Sequence, residues 1–134
     1  GSEMCIRDRD LGANVTLTGG VALQTQESWC EFISKDLQSI SFGGNAAELY
    51  FEEDKFDDFL KKLAAIKGIF YVHPVQQYSW GQRVIRFYDP DFHILEVGEN
   101  IKSVCRRFLD SGMTIEAAAV RMNVPEKFVR ACVR

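Results

Sequence analysis

The sequence predicts an α+β fold, and three observations carry that prediction. Residues 46–52 alternate apolar and polar side chains, the period of a half-buried strand. Residues 54–67 place Phe56, Phe59, Leu60, Leu63 and Ala64 at i, i+3, i+4, i+7 and i+8, the stripe of a helix packed on one face. From 69 to 98 three short strand-like runs follow, the last two joined through Asp89-Pro90-Asp91. The order from 46 to 98 is therefore β-α-β-β-β, and a run of helices follows it.

The 134 residues have room for one domain with an appendage. A hydrophobic share of 46% with ten Phe, four Tyr and two Trp supplies a core and argues against disorder. No apolar run approaches the ~18 residues of a membrane span, so none is expected. Residues 1–99 hold nine Lys/Arg against sixteen Asp/Glu, whereas 100–134 hold seven against three. The acidic body argues against a nucleic-acid enzyme. Cys5, Cys30, Cys105 and Cys132 are far apart and form no Cys-x-x-Cys pair, so a thiolate zinc site is not expected. With no secretory signal pattern they read as free thiols of a cytoplasmic protein.

Each element has its own signal. Residues 1–10 mix charges without a period and read as a tag or foreign segment without structural role. Residues 14–26 read as a hairpin turning at Gly19-Gly20. Ser28 to Leu37 reads as a short helix or an aromatic excursion. Gly43-Gly44-Asn45 is a turn, and Ala46 to Glu52 a strand with Glu48, Tyr50 and Glu52 on its polar side. Asp54 is placed to cap the helix, and Gly68 to end it. Ile69 to Val75 is a strand bounded by Pro74, Gln82 to Tyr88 a third, and Phe92 to Gly98 a fourth. Asn100, Thr114 and the Asn123/Glu126 pair with Pro125 each mark a helix start.

The segments GQRVIRFYDPDFHILEVGE at 81–99 and ELYFEEDKFDDFLKKL at 48–63 resemble the vicinal oxygen chelate superfamily, which joins glyoxalases, bleomycin-resistance proteins and ring-cleaving dioxygenases. The resemblance implies glyoxalase-like βαβββ modules with a curled mixed sheet around a cavity. It divides the chain into a glyoxalase-like domain at 11–99, with a partial first module at 11–44 and a second at 45–99, and a C-terminal helical extension at 100–134. The opening strand and helix of the first module are missing from this reading. Gly20-Val-Ala-Leu-Gln24 aligns with Phe92-His-Ile-Leu-Glu96, and Phe92 stands where the family has glycine.

The resemblance also implies a site. Glu48, Glu96 and Gln24 match three of the four metal positions, so a divalent ion (Zn, Ni, Mn or Fe) is the implied cofactor. Glu48 and Glu96 are the candidate catalytic groups, as ligand or base. From the residues alone, Glu96 between Leu95 and Val97 is costly unless paired, protonated or bound to a cation. Tyr50, Tyr78, Trp80 and Arg83 are the candidate cavity lining, with Trp29 and Phe32 as further rings. The plain alternative for these rings is core packing or a dimer contact. Either Arg83 or Arg86 could hold an anionic ligand or a cavity glutamate. His93 alternates away from Glu96 and is expected to pack against a helix.

The implied function is binding of a small organic ligand, with metal-assisted lyase, isomerase or dioxygenase chemistry. The competing class is a non-catalytic sequestering protein of the drug-resistance type. A third is a helix-turn-helix DNA-binding regulator, with Arg121, Lys127, Arg130 and Arg134 as phosphate contacts. The Ala117-Ala118-Ala119 run favours close packing over that role, so nucleic acid is not the expected partner. Phe108, Val120 and Phe128 are expected to be buried. Unpaired strand edges of a partial module imply a homodimer.

Overall fold

The structure is a computed structural model that describes residues 7–10, 14–17 and 20–133, with side chains from Gly20 onward. It falls into two compact units, Gly1–Gly44 and Asn45–Arg134.

In the first unit β1 (Arg7–Asp10), β2 (Asn14–Leu17) and β3 (Ala22–Gln24) form an antiparallel sheet in that order. The expected hairpin is there, with Val15 opposite Leu23 and Gly20 at φ 87°; Gly19 lies outside the described residues. The segment Arg7–Asp10, expected to have no structural role, is a strand on β2. Backbone pairing at a sheet edge does not require a side-chain period, which is why the pattern concealed it. Helix α1 (Gln26–Ile33) starts at Thr25, whose hydroxyl accepts from Ser28 N at 3.2 Å. A single 3-10 turn follows at Leu37–Ser39.

The second unit is built on a four-stranded open sheet. Its elements are β4 (Glu48–Glu53), α2 (Phe56–Ala64), β5 (Tyr71–Gln77), β6 (Arg83–Tyr88) and β7 (Ile94–Glu99). The sheet order is β4-β7-β6-β5. β4 lies parallel to β7, and the other pairs are antiparallel. Helix α2 makes the crossover that a parallel pair requires. Its Phe59 packs on Phe87 with ring centroids 6.4 Å apart, and Phe56 and Leu63 are buried.

Three local expectations are corrected. Asp54 does not cap α2; the Glu53 carboxylate accepts from Lys55 N at 3.0 Å instead. Pro74 lies within β5 rather than bounding it, because β5 is an edge strand with irregular register on either side of His73. Phe92 keeps the left-handed backbone of the glycine it replaces, at φ 64°. Its ring lies 6.1 Å from that of Phe70 and 5.8 Å from that of Tyr88, contacts a glycine could not make.

Helices α3 (Ile101–Asp110), α4 (Ile115–Met122) and α5 (Glu126–Cys132) form a bundle with its own core. Val104, Cys105, Phe108, Ala118, Met122 and Val129 are among its buried residues. Asn100 caps α3 by accepting from Lys102 N and Ser103 N, and Thr114 caps α4 by accepting from Ala117 N. Asn123 does not start α5 as expected: it ends α4 in the left-handed conformation, and Pro125 precedes α5. Phe108 is buried and Phe128 partly so, but Val120 is 82% exposed, contrary to expectation. Val120 falls on the outer side of α4, while Ala118, Ala119 and Met122 take the inner one. Among the described residues no helix is long and apolar enough to cross a membrane.

Candidate functional site

The register of the second sheet decides what meets. Glu96 on β7 is flanked by its cross-strand neighbours Arg86 on β6 and Tyr50 on β4. Glu48 pairs with Ile94, one diagonal step away on the same face. Arg86 reaches across β7 and touches both acids. Its Nε donates to Glu48 Oε2 at 2.8 Å and its Nη2 donates to Glu96 Oε1. Its Nη1 donates to the Tyr78 hydroxyl at 2.8 Å and faces His73 Nε2 at 3.2 Å. A guanidinium only donates, so His73 Nε2 accepts. His73 Nδ1 therefore carries the ring proton and donates to Pro74 O at 2.7 Å.

A second string of hydrogen bonds continues on this face. Buried Gln82 donates through Nε2 to the Tyr50 hydroxyl at 2.9 Å and to the Glu99 carbonyl at 3.0 Å. Its Oε1 accepts from Trp80 Nε1 at 3.0 Å. The Tyr50 hydroxyl donates to Glu52 at 3.2 Å. The rings of Tyr78 and Trp80 stack at 4.5 Å, joining the two strings. Gly98 lets Gln82 and Tyr50 meet, since a Cβ there would fall 2.6 Å from Gln82 Nε2.

The two acids titrate in opposite directions. The hydrogen bond from Arg86 holds the Glu48 carboxyl below its ordinary value. Burial, and then the neighbouring Glu48, push the Glu96 carboxyl above it. Burial also raises the Tyr50 hydroxyl. One guanidinium thus serves two carboxylates, and the Glu48 side chain is still 35% exposed.

The structure joins Glu48, Glu96, Tyr50, Tyr78 and Trp80 but not Arg83. Strand alternation turns Arg83 to the opposite face, where its Nη1 and Nη2 donate to Asp57 at 2.9 and 3.3 Å. That face holds Glu99, which sequence reasoning missed. Glu99 accepts from Arg83 N at 2.9 Å, from Arg83 Nη2 at 3.1 Å and from Arg107 Nη1 at 2.6 Å. Arg83 Nε also lies 3.1 Å from Glu99, without hydrogen-bond geometry. Burial alone would raise the Glu99 carboxyl, but the Arg83 and Arg107 donors outweigh it and the net shift is downward. A cleft of 410 Å³ opens beside this cluster, lined by Phe56, Asp57, Arg83, Ser103 and Arg107 among others. Gln24, Trp29 and Phe32 belong to the first unit, and Gln24 and both rings are exposed there.

The His93 side chain is more than half exposed. Its Nδ1 lies 2.9 Å from Asp89 Oδ2 in the β6–β7 turn. Asp89, Asp91 and His93 bring ligand atoms within 4.8 Å of one another, a group that could hold a metal ion. Asp89 is already engaged, accepting from Asp91 N and His93 N at 2.9 Å each. Of the proposed phosphate contacts of the tail two are engaged within the chain, and Arg134 lies outside the described residues. Arg121 donates to Ser79 O at 2.7 Å and lies over the Phe108 ring, and Arg130 pairs with Glu126.

Residues 4–102 match the Glyoxalase-like domain family. The chain belongs to that family. No curated protein of known function matches it. Among solved structures it is similar to a protein of unknown function from Agrobacterium tumefaciens str. C58, at 35% identity and a TM-score of 0.62 over 72% of this chain and 75% of that one. A glyoxalase-related enzyme from Fulvimarina pelagi shares the fold at 16% identity and a TM-score of 0.56, over 72% and 70% of the two chains. A glyoxalase/bleomycin resistance protein/dioxygenase from Nocardioides does so at 19% and 0.53, over 71% and 66%.

The family resemblance places a divalent ion at Glu48 and Glu96. The residues of this glyoxalase-like chain do not fit one there. A bridging ion needs both carboxylates within ~2.0–2.6 Å, and the Arg86 guanidinium holds that position with a hydrogen bond to each.

Proposed function

We propose that this chain binds a flat, positively charged organic molecule on the Glu48 face of its second sheet and sequesters it. The carrying observation is the charge imbalance. Glu48 and Glu96 share the one guanidinium of Arg86, and Glu52 accepts from the Tyr50 hydroxyl on the same strand. Around them Tyr50, Tyr78 and Trp80 offer rings, with Tyr50 about half exposed. A carboxylate beside aromatic faces suits a cation with a planar apolar body. A protein of the same fold from Nocardioides carries the name glyoxalase/bleomycin resistance protein/dioxygenase, and sequestration asks of this face only that it bind.

The test uses a planar cationic dye, thioflavin T, with the anionic dye 1-anilinonaphthalene-8-sulfonate as control. The cation should bind, and Glu48→Gln or Tyr50→Ala should weaken it on the order of tenfold. Equal binding of the anion, or indifference to Glu48→Gln, would refute the reading.

A second reading rests on the raised Glu96 carboxyl. With Glu48 held ionised by Arg86, Glu96 is the group of the pair that could hold a proton at its Oε and return it to a bound molecule. Turnover lost in Glu96→Gln, with dye binding retained, would establish it. The homodimer belongs to the same proposal, because β4 and β5 are edge strands of an open sheet. A monomer mass by light scattering would remove it.

A further inference from the structure

We infer that Arg86 is the resident counter-ion of the Glu48/Glu96 pair and keeps that pair from binding a divalent metal. This goes beyond the ligand reading and holds whatever molecule the face takes.

The argument is one of position. Glu48 lies on β4 and Glu96 on β7, the strands whose carboxylates the family resemblance assigns to a metal. Arg86 starts on β6, and its planar head extends over Glu96 to Glu48. Contacts to one oxygen of each acid, through Nε and Nη2, place the guanidinium between them. An ion bridging the same two acids would occupy the same volume.

The side chain is also anchored. Nη1 is fixed by the Tyr78 hydroxyl and by His73 Nε2, so partners from β4, β5, β7 and the β5–β6 connection hold one head group. Displacing it would break all of these contacts. Retaining it beside a metal would set a monovalent and a divalent cation against each other in a half-buried site, a repulsion that grows as water is excluded. Arginine suits this role because it stays charged and its fork matches two carboxylate oxygens at once.

The test is a titration of the purified chain with Mn²⁺, Ni²⁺ and Zn²⁺, followed by calorimetry and thermal melting. All proteins carry Asp91→Asn, which removes the exposed Asp89/Asp91/His93 group as a competing binder. The Arg86-containing protein should show no metal binding that depends on Glu48 or Glu96. Arg86→Gln should gain binding, seen as a melting shift on the order of several degrees at saturating ion. Adding Glu96→Gln should abolish that gain. Arg86→Lys keeps a charge but loses the fork, and should stay metal-free if charge at this position suffices.

Metal binding by the Arg86-containing protein that disappears with Glu96→Gln would overturn the inference. So would an Arg86→Gln protein that folds and gains nothing. If Arg86→Gln does not fold, comparing the Arg86-containing protein with its Glu96→Gln variant still decides whether the pair binds metal while Arg86 is in place.

Discussion

The two faces of the second sheet combine arginine and carboxylate in different proportions. On one face a single arginine, Arg86, serves Glu48 and Glu96. On the other, two arginines, Arg83 and Arg107, serve two acids, Glu99 and Asp57. The first cluster adjoins the stacked Tyr78 and Trp80 rings through the Tyr78 hydroxyl and leaves Glu48 partly in solvent. The second ties helix α3 to strands β6 and β7, because Arg107 also donates to Gly81 O at 2.7 Å. An under-neutralised acid pair can still gain from a ligand. A buried acid matched by arginines from two elements acts as a staple. Charge ratio, rather than residue type, separates the face proposed to take a ligand from the one that joins α3 to the sheet, even though the cleft opens beside the latter.

The largest expected effect falls on the staple. Glu99→Gln should cost about 2–4 kcal/mol in urea unfolding, since it removes the buried charge shared by Arg83 N, the Arg83 guanidinium and Arg107, although Arg83 keeps Asp57. A loss below about 1 kcal/mol would make the two faces energetically alike. Gly81→Ala should cost about 2–4 kcal/mol. Gly81 has φ 88°, and a Cβ there would lie 2.2 Å from Phe108 Cζ, so the loop and α3 would have to separate.

Gly98→Ala sharpens the contrast, because it acts on the Gln82 link between the faces. Displacing Gln82 should cost about 1–2 kcal/mol and weaken dye binding through Tyr50, while leaving the Glu99 carboxylate contacts in place. The acid limb of the stability curve should separate the faces as well. Glu99 has a lowered folded value, so its stabilisation is present above the ordinary 4.5 and is lost as pH falls through the folded value. The smallest effect is expected at Val120, where Val120→Ser should change stability by less than about 0.5 kcal/mol.

Much of this was legible in the sequence. The Glu48–Glu52 alternation, the α2 stripe and the Asp89-Pro90-Asp91 turn are local patterns that survive into the fold, whereas two single-residue cap signals, Asp54 and Asn123, do not. The helix caps Asn100 and Thr114 were legible for the same reason. Most of what else escaped was set by partners distant in sequence. Pro74 inside a strand makes sense only once β5 is an edge. Glu99 looks like an ordinary strand-end acid until Arg107, from the next helix, folds back onto it. The choice between Arg83 and Arg86 depended on which side of β6 faced Glu96, and the register settles it for Arg86.

The central claim is that Glu48 and Glu96 share too little positive charge, and Glu96→Gln tests it most directly. Glu96 has a folded value above 4.5, so its ionisation opposes folding as pH rises past 4.5 and does so fully above the folded value. Unfolding of Glu96→Gln and its parent, measured by urea from pH 4 to pH 8, should therefore show a variant at least as stable as the parent at neutral pH. Its relative advantage should shrink toward pH 4. A neutral-pH loss as large as that of Glu99→Gln would contradict the account and make both clusters staples.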